Sequence, residues 1–298
     1  MPYAPVSYVD PVFRPPSEAN SLILQVTNGC SWNKCTYCDM YTQPQKRFSV
    51  KPEEDVIKEI EWFSRNYSGI QRVFLADGDV ISLSPRRLLN ILNAIREYLP
   101  NVTRVASYCS PRNVSNKSDA DLKALYDAGL KLVYVGAESG DDFVLKSINK
   151  GDTHDSVVDS LNRLADAGIK RSVMIINGAG GTRFSKQHAL NSALLANKTQ
   201  PEFLATLVLN LPHGEDRYQK GYEGQFIRMS QYERFKEVRQ FIDALELKST
   251  IFRSDHASNQ LVLRGVLNKD KEKLLKQIDT AIEKPQEAHL RAEWIRPF

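Results

Sequence analysis

Residues Ser21 to Cys38 read SLILQVTNGCSWNKCTYC. The run Ser21–Thr27 is apolar, short and bounded by Asn28-Gly29, which is a strand followed by a turn. Three of the chain's four cysteines then fall within nine residues, spaced C-x4-C-x2-C. Thiols crowded in this way suit a metal better than disulfides. Cys30, Cys35 and Cys38 on one loop can ligate three irons of a four-iron cluster and leave the fourth iron without a protein ligand. Two other readings stay open. A structural zinc site wants four closed ligands, and its fourth would have to come from Cys109 or a histidine, none of which is near in sequence. The plainest alternative is three buried thiols.

Strand-like and helix-like segments alternate outward from this loop. Strands are expected at Gln71–Ala76, Val102–Cys109, Lys131–Glu138, Arg171–Asn177 and Glu202–Asn210. Helices are expected at Pro52–Arg65, Pro85–Leu99, Lys117–Ala128, Asp141–Asn149, Thr153–Ala167 and Ser185–Asn197. Six strand-then-helix units without a reversed order predict an α/β fold, a partial or full (β/α) barrel of about six parallel strands. Ligands of such folds bind at the carboxyl ends of the strands. Leu211–Arg228 reads as a long glycine- and charge-rich loop, of the kind that serves as a lid or substrate loop. After it come a helix at Gln231–Leu245, a short strand at Lys248–Arg253, a polar turn at Asp255–Asn259 and a mixed-charge helix at Lys269–Glu283 with a solvated face. The expected organisation is a core over 1–210 with a C-terminal α+β extension over 211–298, packed on the core and not independent.

Composition adds bounds. Of 298 residues, 42% are hydrophobic and 26% charged, enough to bury a full core, and the net charge of +4 is too small to argue for nucleic acid. No stretch of about 18 apolar residues would span a membrane, and the polar, proline-rich start carries no signal-peptide core. A cytoplasmic location is the expectation.

The cysteine loop resembles that of the radical S-adenosylmethionine (SAM) superfamily, with one extra residue in the first gap. Over about residues 10 to 210 the chain resembles the branch that contains anaerobic coproporphyrinogen oxidases and Elongator-type proteins, and the fold this implies is the barrel of that superfamily. The resemblance implies a 4Fe-4S cluster held by Cys30, Cys35 and Cys38, with SAM chelating the remaining iron. Tyr37 matches the aromatic residue that lies against the SAM adenine. Ala76-Asp77-Gly78-Asp79 is similar to the glycine-rich segment that receives the SAM amino group, with Gly78 and Asp79 as the contacts and Asp77 in place of a glycine. Gly136-Ala137-Glu138-Ser139-Gly140 closely resembles a family segment whose acid, here Glu138, accepts from ribose hydroxyls. Lys150 matches a basic position that pairs with the SAM carboxylate; a solvated surface lysine is its plainer reading. Asn177 and Gly178 begin a glycine-rich turn similar to the one that cradles adenine, and Met174 stands where some members have an acid.

Substrate groups are expected at the ends of the third and sixth strands and in the C-terminal turn. Cys109, Arg112, His213 and His256 are the candidates. Cys109 is equally a small buried residue, and either histidine is equally an ordinary loop residue. The resemblance implies reductive SAM cleavage to a 5′-deoxyadenosyl radical in an oxygen-sensitive enzyme. That radical would abstract hydrogen from a small polar metabolite, with flavodoxin or ferredoxin as electron donor. An RNA-modifying member of the superfamily and a zinc-stabilised, non-enzymatic binding module are the alternatives; no basic-aromatic pattern supports RNA.

Overall fold

The computed structural model describes residues 4–212 and 214–292. The chain forms two compact units, one built from residues 4–33, 40–135 and 162–171, the other from 34–39, 136–161 and the described residues after 171.

The first unit contains β1 (Leu22–Gln25), β2 (Thr27–Asn28), β3 (Ser49–Val50), α1 (Glu53–Asn66), β4 (Arg72–Ala76), α2 (Pro85–Tyr98), β5 (Arg104–Cys109), α3 (Pro111–Ser115), α4 (Asp119–Asp127) and the beginning of β6 (Leu130–Glu138). Strands β1, β4, β5 and β6 pair in parallel, in that order. Parallel strands need both faces covered, and Val73, Phe74, Leu75 and Ala76 of β4 are accordingly all buried. The covering helices start where the sequence caps them. Ser84 accepts from the Arg87 N–H ahead of Pro85, and Ser118 with Asp121 forms a reciprocal capping box. On α2 the residues Leu88, Ile91, Leu92 and Ile95 are buried, the one apolar stripe of an amphipathic helix.

The expected first strand is broken. The regular ladder of β1 ends at Gln25; Val26 and Thr27 keep bonds to Ala76 and Asp77, while Thr27–Asn28 also pairs antiparallel with Ser49–Val50. A two-residue pairing of this kind carries no periodic signal. The short helix α3 is likewise too brief to show one.

The second unit contains the end of β6, α5 (Asp142–Ser147), most of α6 (His154–Asp166) and β7 (Lys170–Asn177), α7 (Gly181–Thr199), β8 (Phe203–Val208), α8 (Asp216–Gly221), α9 (Gln231–Asp243), β9 (Ile251–Ser254), β10 (Leu263–Val266) and α10 (Lys271–Glu283). Strands β7, β8 and β9 are parallel, and β10 closes antiparallel onto β9. The short strand expected at 248–253 is therefore β9, and it extends the ladder of β8. β10 was not expected, because its sequence Leu-Arg-Gly-Val is neither apolar nor alternating. Helix α9 packs against both α7 and α10.

The expected loop over 211–228 holds a helix. Tyr218, Tyr222 and Phe226, spaced by four, turn inward to form a buried cluster with Val144, Ile148, Ile176, Ala179 and Leu211. Both tyrosine hydroxyls donate to the Ala179 carbonyl, at 2.7 and 2.6 Å. Gly221 lies so close to α5 that a Cβ there would overlap the Ser147 carbonyl.

Candidate active site

In the first unit the end of β4 is tied down by its own neighbours. Asp77 is buried and forms an ion pair with buried Lys46, and the Tyr41 hydroxyl donates to it at 3.1 Å. Burial pushes the Asp77 carboxyl above its ordinary range, against the opposing pull of Lys46 and Tyr41. Gly78 abuts the Tyr41 ring, which leaves no room for a Cβ. Asp79 is buried and accepts from the Ser31 backbone N–H at 3.2 Å, from the Ser31 hydroxyl and from the Asn113 side-chain amide. Both its oxygens thus hold protein groups, and one of these belongs to the residue after Cys30.

Cys30 is partly exposed in this unit. Cys109 is buried, its thiol 3.5 Å from the Ser110 carbonyl. The Arg112 guanidinium lies over the Trp32 ring, its central carbon 3.8 Å from the ring centre, and its Nε donates to the Ser110 hydroxyl.

In the second unit three residues expected to touch SAM meet. Glu138 ends β6 with a left-handed backbone, φ +65°, a conformation that costs a non-glycine residue about 1–3 kcal/mol. That turn folds its carboxylate back over Gly136, where a Cβ would collide with it. Lys150 Nζ stands 3.2 Å from Glu138 Oε1, both side chains about nine-tenths buried. The Tyr37 hydroxyl is buried beside the same carboxylate and bonded to it. Burial, then Glu138, Cys35 and Cys38, raise the Tyr37 phenol well above its ordinary value. Burial acts to lower the Lys150 ammonium, but Glu138, Cys35 and Asp152 outweigh it, and the net shift is upward. Cys35 thus acts electrostatically on both partners of Glu138. Its turn is held from α5, with the Thr36 N–H donating to the Ile148 carbonyl at 3.0 Å and the Asn149 amide to the Lys34 carbonyl at 3.1 Å.

Asn177 and Gly178 end β7. Gly178 takes φ +89°, the conformation that calls for glycine, and its N–H donates to Glu237 at 2.5 Å. Asn177 is buried with its amide nitrogen 3.4 Å from the Arg234 carbonyl and its Oδ1 without a partner. His256 lies in the turn after β9, its Nδ1 2.9 Å from the Ser258 hydroxyl. Burial, then Arg291, lowers its pKa, with Asp255 opposing. His213 lies outside the described residues.

Three further residues of this unit had no signal in the sequence. Buried His188 bridges the Ser139 hydroxyl (2.7 Å) and the Ile176 carbonyl (3.0 Å), which ties the segment after β6 to β7. Buried Glu237 holds the Gly178 turn. Arg217 of α8 donates to the Cys35 and Cys38 carbonyls.

Cys30, Cys35 and Cys38 form no disulfide and are partly exposed, and thiols are the donor type that an iron–sulfur cluster requires. Among the described residues no three His, Cys, Asp or Glu side chains are gathered closely enough to hold a metal ion. Nor is any helix among them long and apolar enough to cross a membrane.

The family model described as the radical SAM superfamily matches residues 24–191. An uncharacterized methyltransferase of Pyrococcus horikoshii is 29% identical over 147 residues, covering 49% of this chain and 30% of that protein. The heme chaperone HemW of Bacillus subtilis is 23% identical over 167 residues, covering 54% of this chain and 44% of that one. The chain thus spans less than half the length of these curated relatives. Among solved structures, coproporphyrinogen III oxidase of Escherichia coli matches 75% of this chain and 51% of its own, with a TM-score of 0.55 at 12% identity. The radical S-adenosylmethionine methyltransferase TsrM of Kitasatospora setae matches 63% of this chain and 36% of its own, with a TM-score of 0.52 at 19% identity. At these identities the likeness concerns the fold, which is the expected α/β barrel type.

Proposed function

This chain belongs to the radical SAM superfamily, whose members are mostly enzymes that use a 4Fe-4S cluster and S-adenosylmethionine, and on that premise we propose that Cys30, Cys35 and Cys38 hold the cluster while Tyr37, Glu138 and Lys150 receive SAM. One observation carries the assignment: Tyr37, Glu138 and Lys150 form a single bonded group on which Cys35 also acts. When bound, the cluster supplies the electron that cleaves SAM to methionine and a 5′-deoxyadenosyl radical. The residues do the rest by position. Glu138, an acceptor with up to four lone-pair sites, exchanges the Tyr37 hydroxyl and Lys150 for ribose hydroxyls. Lys150 keeps its proton and turns its charge to the SAM carboxylate. The Tyr37 ring offers a flat apolar face to adenine, and the positive φ of Gly178 lets the backbone come close to a second face.

Beyond SAM cleavage, we assign hydrogen abstraction from a small polar metabolite, with Arg112 and His256 as proposed substrate contacts and Cys109 and His213 as further candidates. Flavodoxin or ferredoxin is the proposed electron donor. A net charge of +4 among 76 charged side chains, 40 basic and 36 acidic, favours a metabolite over RNA.

The test is anaerobic reconstitution with iron and sulfide, reduction with dithionite and assay for 5′-deoxyadenosine. About four irons per chain and 5′-deoxyadenosine are expected, both lost when Cys30, Cys35 and Cys38 are replaced by Ala. Zinc in place of iron, with no SAM cleavage, would sink the assignment.

A further inference from the structure

The turn that carries Cys35 and Cys38 receives a charged donor. Arg217 Nη2 lies 2.7 Å from the Cys35 carbonyl and 3.1 Å from the Cys38 carbonyl. The Cys38 N–H donates to the same Cys35 carbonyl at 3.3 Å, closing the turn. Two further anchors of this segment, the Ile148 carbonyl and the Asn149 amide, are neutral. Arg217 is not left to wander. It sits on α8 beside Tyr218, whose ring stacks on Tyr222 and packs against Phe226. Both tyrosine hydroxyls are spent on Ala179, and Gln219 Nε2 donates to the Phe226 carbonyl at 2.9 Å. A helix of six residues is thereby locked by its aromatic face, with Arg217 aimed at the backbone of two cysteines.

We infer that Arg217 is a positioning residue for the iron–sulfur cluster, setting the geometry of the Cys35–Cys38 turn and biasing the cluster toward its reduced form. The inference rests on the reading that Cys35 and Cys38 are ligands. Two physical terms lead to it. Groups that orient metal ligands from behind tune the site, and losing one costs about 10–100-fold in metal affinity or activity. The potential of an iron–sulfur centre follows local charge and hydrogen bonding, and a fixed guanidinium favours the state carrying one more electron. Arg suits the task because its terminal Nη2 carries two N–H donors on a rigid, delocalised cation and so reaches both carbonyls.

The experiment is a redox titration of the reconstituted full chain followed by electron paramagnetic resonance, comparing the parent with Arg217→Gln and Arg217→Lys. Arg217→Gln is expected to lower the midpoint. At the parent's midpoint its reduced-to-oxidised ratio should fall about tenfold, which is about 59 mV for one electron. Arg217→Lys keeps the charge but loses the rigid guanidinium nitrogen that reaches both carbonyls, so it should restore most of the midpoint while leaving altered g-values. Should Arg217→Gln fail to hold the cluster, Arg217→Lys decides alone, and a parent-like midpoint with altered g-values supports the inference. Midpoint and g-values equal to the parent's in every loaded variant overturn it. Iron content separates this from failure of the underlying reading: a parent that binds no iron, or keeps it after Cys35 and Cys38 are changed to Ala, refutes the ligand assignment itself.

Discussion

At the scale of single residues, the Glu138–Lys150 pair is the most exacting feature. A carboxylate and an ammonium about nine-tenths buried stabilise each other only while both are present. Lys150→Met should therefore lower unfolding free energy by about 3 kcal/mol, and the double variant with Glu138→Gln should recover most of that loss in urea denaturation. His256 gives a second test. Its folded pKa lies below the unfolded value near 6.5, so the unfolded chain takes up a proton first as pH falls. The stability that neutral His256 contributes is complete above pH 6.5 and is lost as pH falls through the lowered value. The stability difference between parent and His256→Gln should accordingly shrink between pH 7 and 5 in denaturant titrations. Glu138, Lys150 and Tyr37 enter the sequence reading only through the family resemblance, and the structure brings the three together as one bonded group. Asp79 likewise enters only through that resemblance, and its role as acceptor for Ser31 and Asn113 depends on segments 48 and 34 residues away. His188, Glu237 and Arg217 are ordinary helix residues in sequence, and only packing turns them toward the loops they hold.

At the scale of elements, the alternation of apolar runs with capped amphipathic helices located nearly every strand and helix, because period and cap are local properties. What escaped was held by partners and not by pattern: β2 and β3, β10, α3 and α8. Helix α8 did carry a sign, the aromatic spacing Tyr218, Tyr222, Phe226, hidden among charges and glycines. It also yields a prediction. A methyl group at Gly221 would meet the Ser147 carbonyl, so Gly221→Ala should push α8 off α5. Overpacking of this kind costs about 1–3 kcal/mol, and hydrogen exchange should quicken over 216–226 while β4 and β5 keep their protection.

At the scale of the whole molecule, the family match runs over residues 24–191, and SAM binding is expected to report on that stretch as one. Free ligand at a hundred times its dissociation constant stabilises a folded chain by about 2.7 kcal/mol. The cluster-loaded protein should gain several degrees of melting temperature with saturating SAM, and the cysteine-to-alanine variant should gain almost none. The parallel ladder of the first unit has a consequence in time. Leu22 of β1 finds its partner in Val73 of β4, and that rung, spanning about fifty residues, cannot form until the intervening chain exists. At a synthesis rate of roughly 5–20 residues per second, the cysteine loop leaves the ribosome seconds before either β4 or its anchor Asp79. For that interval its thiols lack even the partial cover of the folded chain, so the share of chains that take up iron on reconstitution should fall when reductant is withheld during translation.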